Sequence, residues 1–268
     1  MKLIEFFGLK VKPRMTRGRH MFQPMETGAL SENLWCIRDK DVNCFLCRTG
    51  NGYLAIDSGY KHSANVREGL RQLQIRPEEV RAVFLTHLDI DHAGGMDLDA
   101  GEIFPQAEVY LSRPENEYLA GTIFRKEIGP ISCRMPIRLR ENRKLLADRE
   151  TVLCDGVAVE AVYAPGHSAG HTAYRIGTDL FAADCLIFDG TEGWCFYDFW
   201  NWNTGINRET LRMLEQYCRE RGIKRVISAH SGILGPETAF VHREIAPNWK
   251  EKGFELIPGA EDDLYGNG

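Results

Sequence analysis

The chain has 268 residues, 43% hydrophobic and 26% charged, ordinary proportions for a globular protein with room for a sizeable core. Its 38 acidic against 33 basic residues leave a net charge of -5, which argues against a nucleic-acid-binding protein, where a basic excess is usual. No apolar run approaches the roughly 18 residues of a membrane helix and Met1–Gly8 lacks a signal-peptide pattern, so no membrane partner and a cytoplasmic location are expected, with the eight cysteines as buried thiols.

Leu3–Val11 reads as a strand, followed by a basic irregular stretch (Lys10, Lys12, Arg14, Arg17, Arg19) expected to be a solvated loop. Three β-rich runs follow, Leu34–Arg38, Asn43–Arg48 and Tyr53–Ile56, with turns at Asp39–Asp41 and Gly50–Gly52. Cys44 and Cys47 fall mid-strand, where residues three apart face opposite ways, so a shared metal is not expected. The third run ends at Asp57-Ser-Gly59. Ser63 then caps a helix over about 63–74, with Val66, Leu70 and Leu73 on one face. Arg81–Thr86 is a buried strand, Ala107–Leu111 another, and Ser112-Arg-Pro-Glu115 a capped helix start.

The least patterned segment, about 113–150, carries Arg134, Arg138, Arg140, Arg143, Lys144 and Arg149. It reads as a surface excursion or, alternatively, as a cap that steers an anionic substrate. Strands return at Thr151–Cys154, Val157–Tyr163, His171–Ile176 and Leu180–Ala183. An amphipathic helix covers about 208–221, with Leu211, Leu214 and Cys218 on one face, and Arg225–Ala229 is a short strand. The sequence has no linker, repeat or low-complexity tract, so residues 1–268 are expected to form one domain. Its halves share a strands-then-helix rhythm that suits a duplicated sandwich, and the polar tail after Pro247 is expected to fray.

Chemistry concentrates in Phe84-Leu-Thr-His-Leu-Asp-Ile-Asp-His-Ala-Gly-Gly95, where His87, Asp89, Asp91 and His92 follow an apolar strand. A solvated turn has no need of the histidines, and a core strand does not tolerate the aspartates. Asp57, His167, Asp184 and His230 share the same placement, just after an apolar run. Several strands delivering such residues to one rim is what a catalytic metal site requires. A rival reading takes Gly166-His-Ser-Ala-Gly170 as the nucleophile elbow of a serine hydrolase, with Ser168, Asp184 and His230 in triad order. That elbow needs a strand turning into a helix, whereas His171–Ile176 reads as a strand, and the cluster at 87–92 would go unused.

Together these residues resemble the metallo-β-lactamase-fold hydrolases, marked by an Asp ending an early strand, H-x-H-x-D-H, a P-G-H-[ST]-x-G-H turn, an Asp and a late His. Asp57, Thr86–Gly95, Pro165–His171, Asp184 and Ser228–His230 match in that order. The resemblance implies an α/β fold, an αββα sandwich of two mixed β-sheets flanked by helices. It also implies one metal on His87, His167 and the position of Asp89, and a second on Asp91, His92 and His230. Asp184 would bridge them, Asp57 would orient a ligand, and Asp91 would handle the proton of a metal-activated water. Asp89 departs from the family's His; a carboxylate hardens the site, so one or two ions of zinc are expected, with iron or manganese as alternatives.

The motifs are most similar to the N-acyl homoserine lactonase branch, in which a Tyr three residues beyond the bridging Asp contacts the lactone. That position is Ile187 here, and Tyr197 and Trp200, from the aromatic run Trp194–Asn203, are expected either to wall the substrate site instead or to belong to the packing of the 208–221 helix onto the sheet. The expected partner is a small molecule carrying an ester or lactone, handled by a monomer or a homodimer. A phosphodiester, favoured by the basic residues 134–149, and a metal-binding sensor with little turnover are the alternatives.

Overall fold

The computed structural model describes residues 3–12, 22–128 and 131–246. Strands β1 (Gly28–Ser31), β2 (Leu34–Asp39), β3 (Val42–Arg48), β4 (Tyr53–Ile56), β5 (Val80–Phe84) and β6 (Glu108–Ser112) lie side by side in that order. The first four pair antiparallel and β4, β5 and β6 parallel. After a hairpin of β7 (Lys126–Ile128) and β8 (Ile131–Cys133), β9 (Lys144–Leu146) closes the far edge of this sheet beside β6. The second sheet holds β10 (Thr151–Cys154), β11 (Val157–Tyr163), β12 (Thr172–Ile176) and β13 (Asp179–Phe181). A small hairpin of β14 (Leu186–Phe188) and β15 (Gly193–Cys195) precedes β16 (Arg225–Ser228) and β17 (Gly232–Leu234), which complete the second sheet, with β13 and β16 parallel.

Alternation along the strands gives each sheet two apolar faces, and each face finds a partner. Cys36, Phe45, Leu54, Ile56 and Phe84 pack between the sheets against Val159, Ala161, Tyr174, Phe181 and Ile227. The opposite face of the first sheet, with Ile37, Cys44, Leu46 and Val83, takes Val66 and Leu70 of the helix Asn65–Gln72. The opposite face of the second, with Val162, Ala173, Leu180 and Val226, takes Leu211, Leu214 and Cys218 of the helix Thr204–Arg221. The order helix, sheet, sheet, helix is the expected αββα sandwich. Cys44 and Cys47 fall in different packing clusters, as their spacing predicts, and all eight thiols are free.

One expectation fails at the start of the chain. Leu3–Val11 is a helical turn, Leu3–Phe6, running into a wider one, Phe7–Val11. A short apolar run carries too few periods to separate helix from strand. Lys12 at its end is buried rather than solvated, whereas Arg14, Arg17 and Arg19, like the tail after Pro247, lie outside the described residues. In the 113–150 segment, helix Arg113–Ala120 leads to the β7–β8 hairpin. Its later basic residues meet surface partners: Arg138 pairs with Asp99, Arg140 with Glu102 and Arg149 with Asp148, while Arg134 covers the Phe124 ring. Among the described residues, no helix is long and apolar enough to cross a membrane.

Candidate metal centre

The seven expected ligands are carried by loops leaving the same rim of both sheets. His87, Asp89, Asp91 and His92 follow β5; His167 follows β11, Asp184 follows β13 and His230 follows β16. Gly95 lets the first loop lie on the next one, since a Cβ there would stand 2.1 Å from the Ser58 carbonyl oxygen. Gly170 does the same for the second half of the centre, where a Cβ would meet the Glu115 backbone nitrogen at 2.0 Å. The absence of any side chain at these points is a packing requirement of the site itself.

Each imidazole is held by its Nδ1. Thr86 Oγ1 lies 3.0 Å from His87 Nδ1, Asp57 Oδ2 lies 2.8 Å from His92 Nδ1, and Asn201 Oδ1 lies 3.3 Å from His167 Nδ1. His230 Nδ1 donates to the Asp41 carbonyl. The Nε2 atoms therefore turn inward, and all four surround one oxygen. Asp184 Oδ2 is 3.2 Å from His230, 3.4 Å from His92, 3.5 Å from His167 and 3.9 Å from His87. Asp57 also accepts from the Thr86 backbone and hydroxyl at 2.8 Å each, so it locks the loop as well as the ring.

The other two carboxylates are each paired with a cation that the sequence pattern does not announce. Arg125 grips Asp89 with Nε and Nη2 at 2.8 and 2.9 Å, and the same Nη2 lies 3.1 Å from His167 Nε2. Lys12 pairs with Asp91 Oδ2, its ammonium 5.7 Å from the centre of the Trp200 ring. Burial is the largest single influence and pushes both carboxyls up, but Arg125 with His167 and His87 around Asp89, and Lys12 with His92 and His230 around Asp91, together hold them below the usual carboxylate range. Burial also holds His87 and His167 below the usual imidazole range, in the neutral form that a metal needs.

Behind this layer, Glu115 clasps the two halves. It accepts from the Leu88 backbone at 2.9 Å, from Ser168 Oγ at 2.6 Å and from the Gly170 backbone at 3.1 Å. Ser168 is thus spent on a buried carboxylate, and its loop enters β12, a strand, as the argument against a serine nucleophile requires. Glu115 stands three residues after Ser112, the spacing of a helix cap, and that reading hides its second role. His171, held neutral with its pKa lowered to about 3 by burial, receives the Asp184 backbone N–H at 3.3 Å and so positions the bridging loop. Tyr197 is buried beside Phe22 and Phe196, while the carbonyl of Trp200 accepts from Arg125.

The donor set fits a divalent ion. His87 Nε2, His92 Nε2, His230 Nε2, Asp91 Oδ1 and Asp184 Oδ1 are buried without a hydrogen-bond partner. Five orphaned polar atoms in one place cost far too much unless something shared satisfies them. Donors bonded at about 2.1 Å around one ion stand roughly 3.4 Å apart, which is the spacing found around Asp184. Three overlapping sets bring one ligand atom from each residue within 4.8 Å of one another: His87, His92 and Asp184; His87, Asp89 and His167; Asp91, His92 and His230.

The chain is similar to several known proteins. A hydroxyacylglutathione hydrolase from Aeromonas hydrophila is 30% identical over 158 residues, 56% of this chain and 52% of that protein. An N-acyl homoserine lactonase from Bacillus cereus is 28% identical over 177 residues, 56% of this chain and 64% of that protein. The chain therefore spans about half to just under two thirds of the length of these relatives. Among solved structures, a metallo-β-lactamase from Cronobacter sakazakii superposes with a TM-score of 0.59 at 20% identity, covering 77% of this chain and 79% of that one. The model of the metallo-β-lactamase superfamily matches residues 37–217, from β2 through most of the long helix, and the chain belongs to that superfamily of hydrolases.

Proposed function

We propose that the protein is a metal-dependent hydrolase of a small ester or lactone. The observation that carries this reading is the convergence of four imidazole nitrogens on Asp184, with five buried donor atoms left unpaired. His87, His92, His230 and Asp184 would hold the ion, with Asp91 and His167 at its margin. Zinc suits the imidazole-rich set, and the carboxylates also admit iron or manganese. A bound ion of this kind supplies Lewis acidity and lowers the pKa of water toward 7. The two relatives are named for hydrolysis of an acyl compound and of a lactone, which supports acyl transfer to water as the reaction class.

The chain's own residues provide the rest. Asp91, with one oxygen on Lys12 and one open, is poised to accept the proton of the attacking water and return it to the leaving group. Lys12, together with His92 and His230, favours the ionised form of Asp91 against the opposing effect of burial. A cavity of about 550 Å³ lined by Ile123, Phe124, Arg125, Lys126, Ala169 and Trp202 adjoins the centre through Arg125, a volume suited to a small acyl substrate. Trp200 would wall the path between them, and Tyr197 would back it. The surface pairing of Arg138, Arg140 and Arg149 removes the support that this segment lent to a phosphodiester substrate.

A panel of p-nitrophenyl esters, lactones, thioesters and bis-p-nitrophenyl phosphate tests the reading. Ester or lactone turnover is expected to vanish with a chelator and return with added zinc or manganese. Asp91→Asn is expected to lower kcat by about 100-fold or more, within the range for a lost general acid–base group. Turnover that survives chelation would remove the metal from the reaction, and full activity in Asp91→Asn would remove the proton role.

A further inference from the structure

We infer that Arg125 serves as a built-in cation for one half of the centre, holding Asp89 and His167, so that the chain takes a single divalent ion in the other half. This rests on the metal-hydrolase reading above. The donor atoms divide into two groups. Arg125 Nε and Nη2 bind both oxygens of Asp89 in the bidentate geometry that suits a guanidinium and a carboxylate. Nη2 also takes His167 Nε2 at 3.1 Å and the Trp200 carbonyl at 2.8 Å. On the other side, the Nε2 atoms of His87, His92 and His230 and one oxygen each of Asp91 and Asp184 have no partner. What would complete one half is committed, and what would complete the other stands open.

The charges divide the same way. Asp89 and Arg125 neutralise one another before any ion arrives. An ion on His87, Asp89 and His167 would have to displace the guanidinium or sit beside it, cation against cation in a buried place. Lys12 reaches only one oxygen of Asp91 and leaves the Asp184 carboxylate and three imidazoles available. The departure at position 89 then has a reason: an imidazole offers a guanidinium no counter-charge, whereas an aspartate does. Asp89 and Arg125 form a matched pair, one on the loop after β5 and the other at the entry to β7. Arg125 is fixed there by its own backbone, which donates to the Cys133 carbonyl at 3.0 Å.

Metal stoichiometry reads this directly. The full chain is stripped with a chelator, loaded with excess zinc or, separately, manganese, desalted and assayed by elemental analysis. One ion per chain is expected for the native protein and for Arg125→Lys, which keeps a cation beside Asp89. Arg125→Gln frees Asp89 and His167 from the positive charge and is expected to bind two ions; Arg125→Met is a second neutral variant should the first not fold. Two ions in the native protein would overturn the inference while leaving the metal-hydrolase reading standing. A single ion in the folded neutral variants would overturn the role of Arg125, and no ion in the native protein would sink both readings.

Discussion

At the scale of single residues, the centre works by fixing which nitrogen of each histidine is free. His87 Nδ1 lies against Thr86 Oγ1, whose hydroxyl donates a hydrogen bond to Asp57, and Asp57 also takes His92 Nδ1. One buried carboxylate thereby settles two imidazoles with Nε2 inward. Asp57→Asn replaces an acceptor with a donor. It is expected to weaken metal binding by about 10- to 100-fold and to destabilise the fold by about 1–3 kcal/mol through unpaired buried donors. Competition with a chromogenic chelator and a denaturant titration measure the two effects; unchanged affinity would mean that the rings are held by packing alone. Ser168→Ala removes one hydrogen bond to Glu115 and is expected to cost about 1 kcal/mol with turnover retained. Its loss of activity would revive the serine mechanism. The sequence carries the identity of Asp57 and the histidines because ligands must sit at strand ends. It does not carry Lys12 or Arg125, since nothing local to a lysine after Val11 or an arginine after Phe124 tells that the side chain points inward.

At the scale of elements, the start of helix Arg113–Ala120 is where the two halves of the centre are tied. Ser112 Oγ accepts the Glu115 N–H and donates to the Gly170 carbonyl, while the Glu115 side chain reaches the loops at Leu88 and Ser168. Burial raises the Glu115 carboxyl to about 7, against the opposing effect of its hydrogen bonds from Ser168 and Leu88. Between the ordinary carboxylate value and 7, the unfolded chain has lost this proton and the folded chain keeps it. The contribution of this group to stability is then largest below about pH 4.5 and declines as the pH rises toward 7. Glu115→Gln should remove that decline from the variant's own curve, so that the difference between native and variant, measured on metal-free protein from pH 4 to 8, falls as the pH rises, with a loss of about 1–3 kcal/mol at the acid end. A pH-independent difference would show that the carboxyl ionises as freely as in the unfolded chain. The long helix and most strands were legible because their apolar period is sustained, Leu211, Leu214 and Cys218 in one case and Phe45 to Cys47 in another. The opening helix was not, because a handful of apolar residues satisfies either period.

At the scale of the whole molecule, the centre is a joint between the sheets. Asp57, His87, Asp91 and His92 come from the first sheet and His167, Asp184 and His230 from the second. The αββα arrangement follows from the order of the motifs along the chain, since their spacing alternates strands with a closing helix twice. What the order could not reveal is how much of the interface between the sheets is polar, because the partners lie as far as 189 residues apart. An ion on His87, His92, His230 and Asp184 would therefore bind only where both sheets are assembled, and its binding energy would add to folding stability. At a free ion concentration about 100 times the dissociation constant the gain is about 2.7 kcal/mol. For a chain of this size that corresponds to a rise of roughly 5–10 °C in Tm. Thermal unfolding at stepped zinc or manganese concentrations measures it, and Tm should climb with the logarithm of the free ion. His230→Ala, which withdraws one of the two second-sheet ligands, is expected to shrink the rise to a few degrees, as weaker binding lowers the same logarithm. An undiminished rise in that variant would remove His230 from the ion and leave Asp184 to tie it to the second sheet.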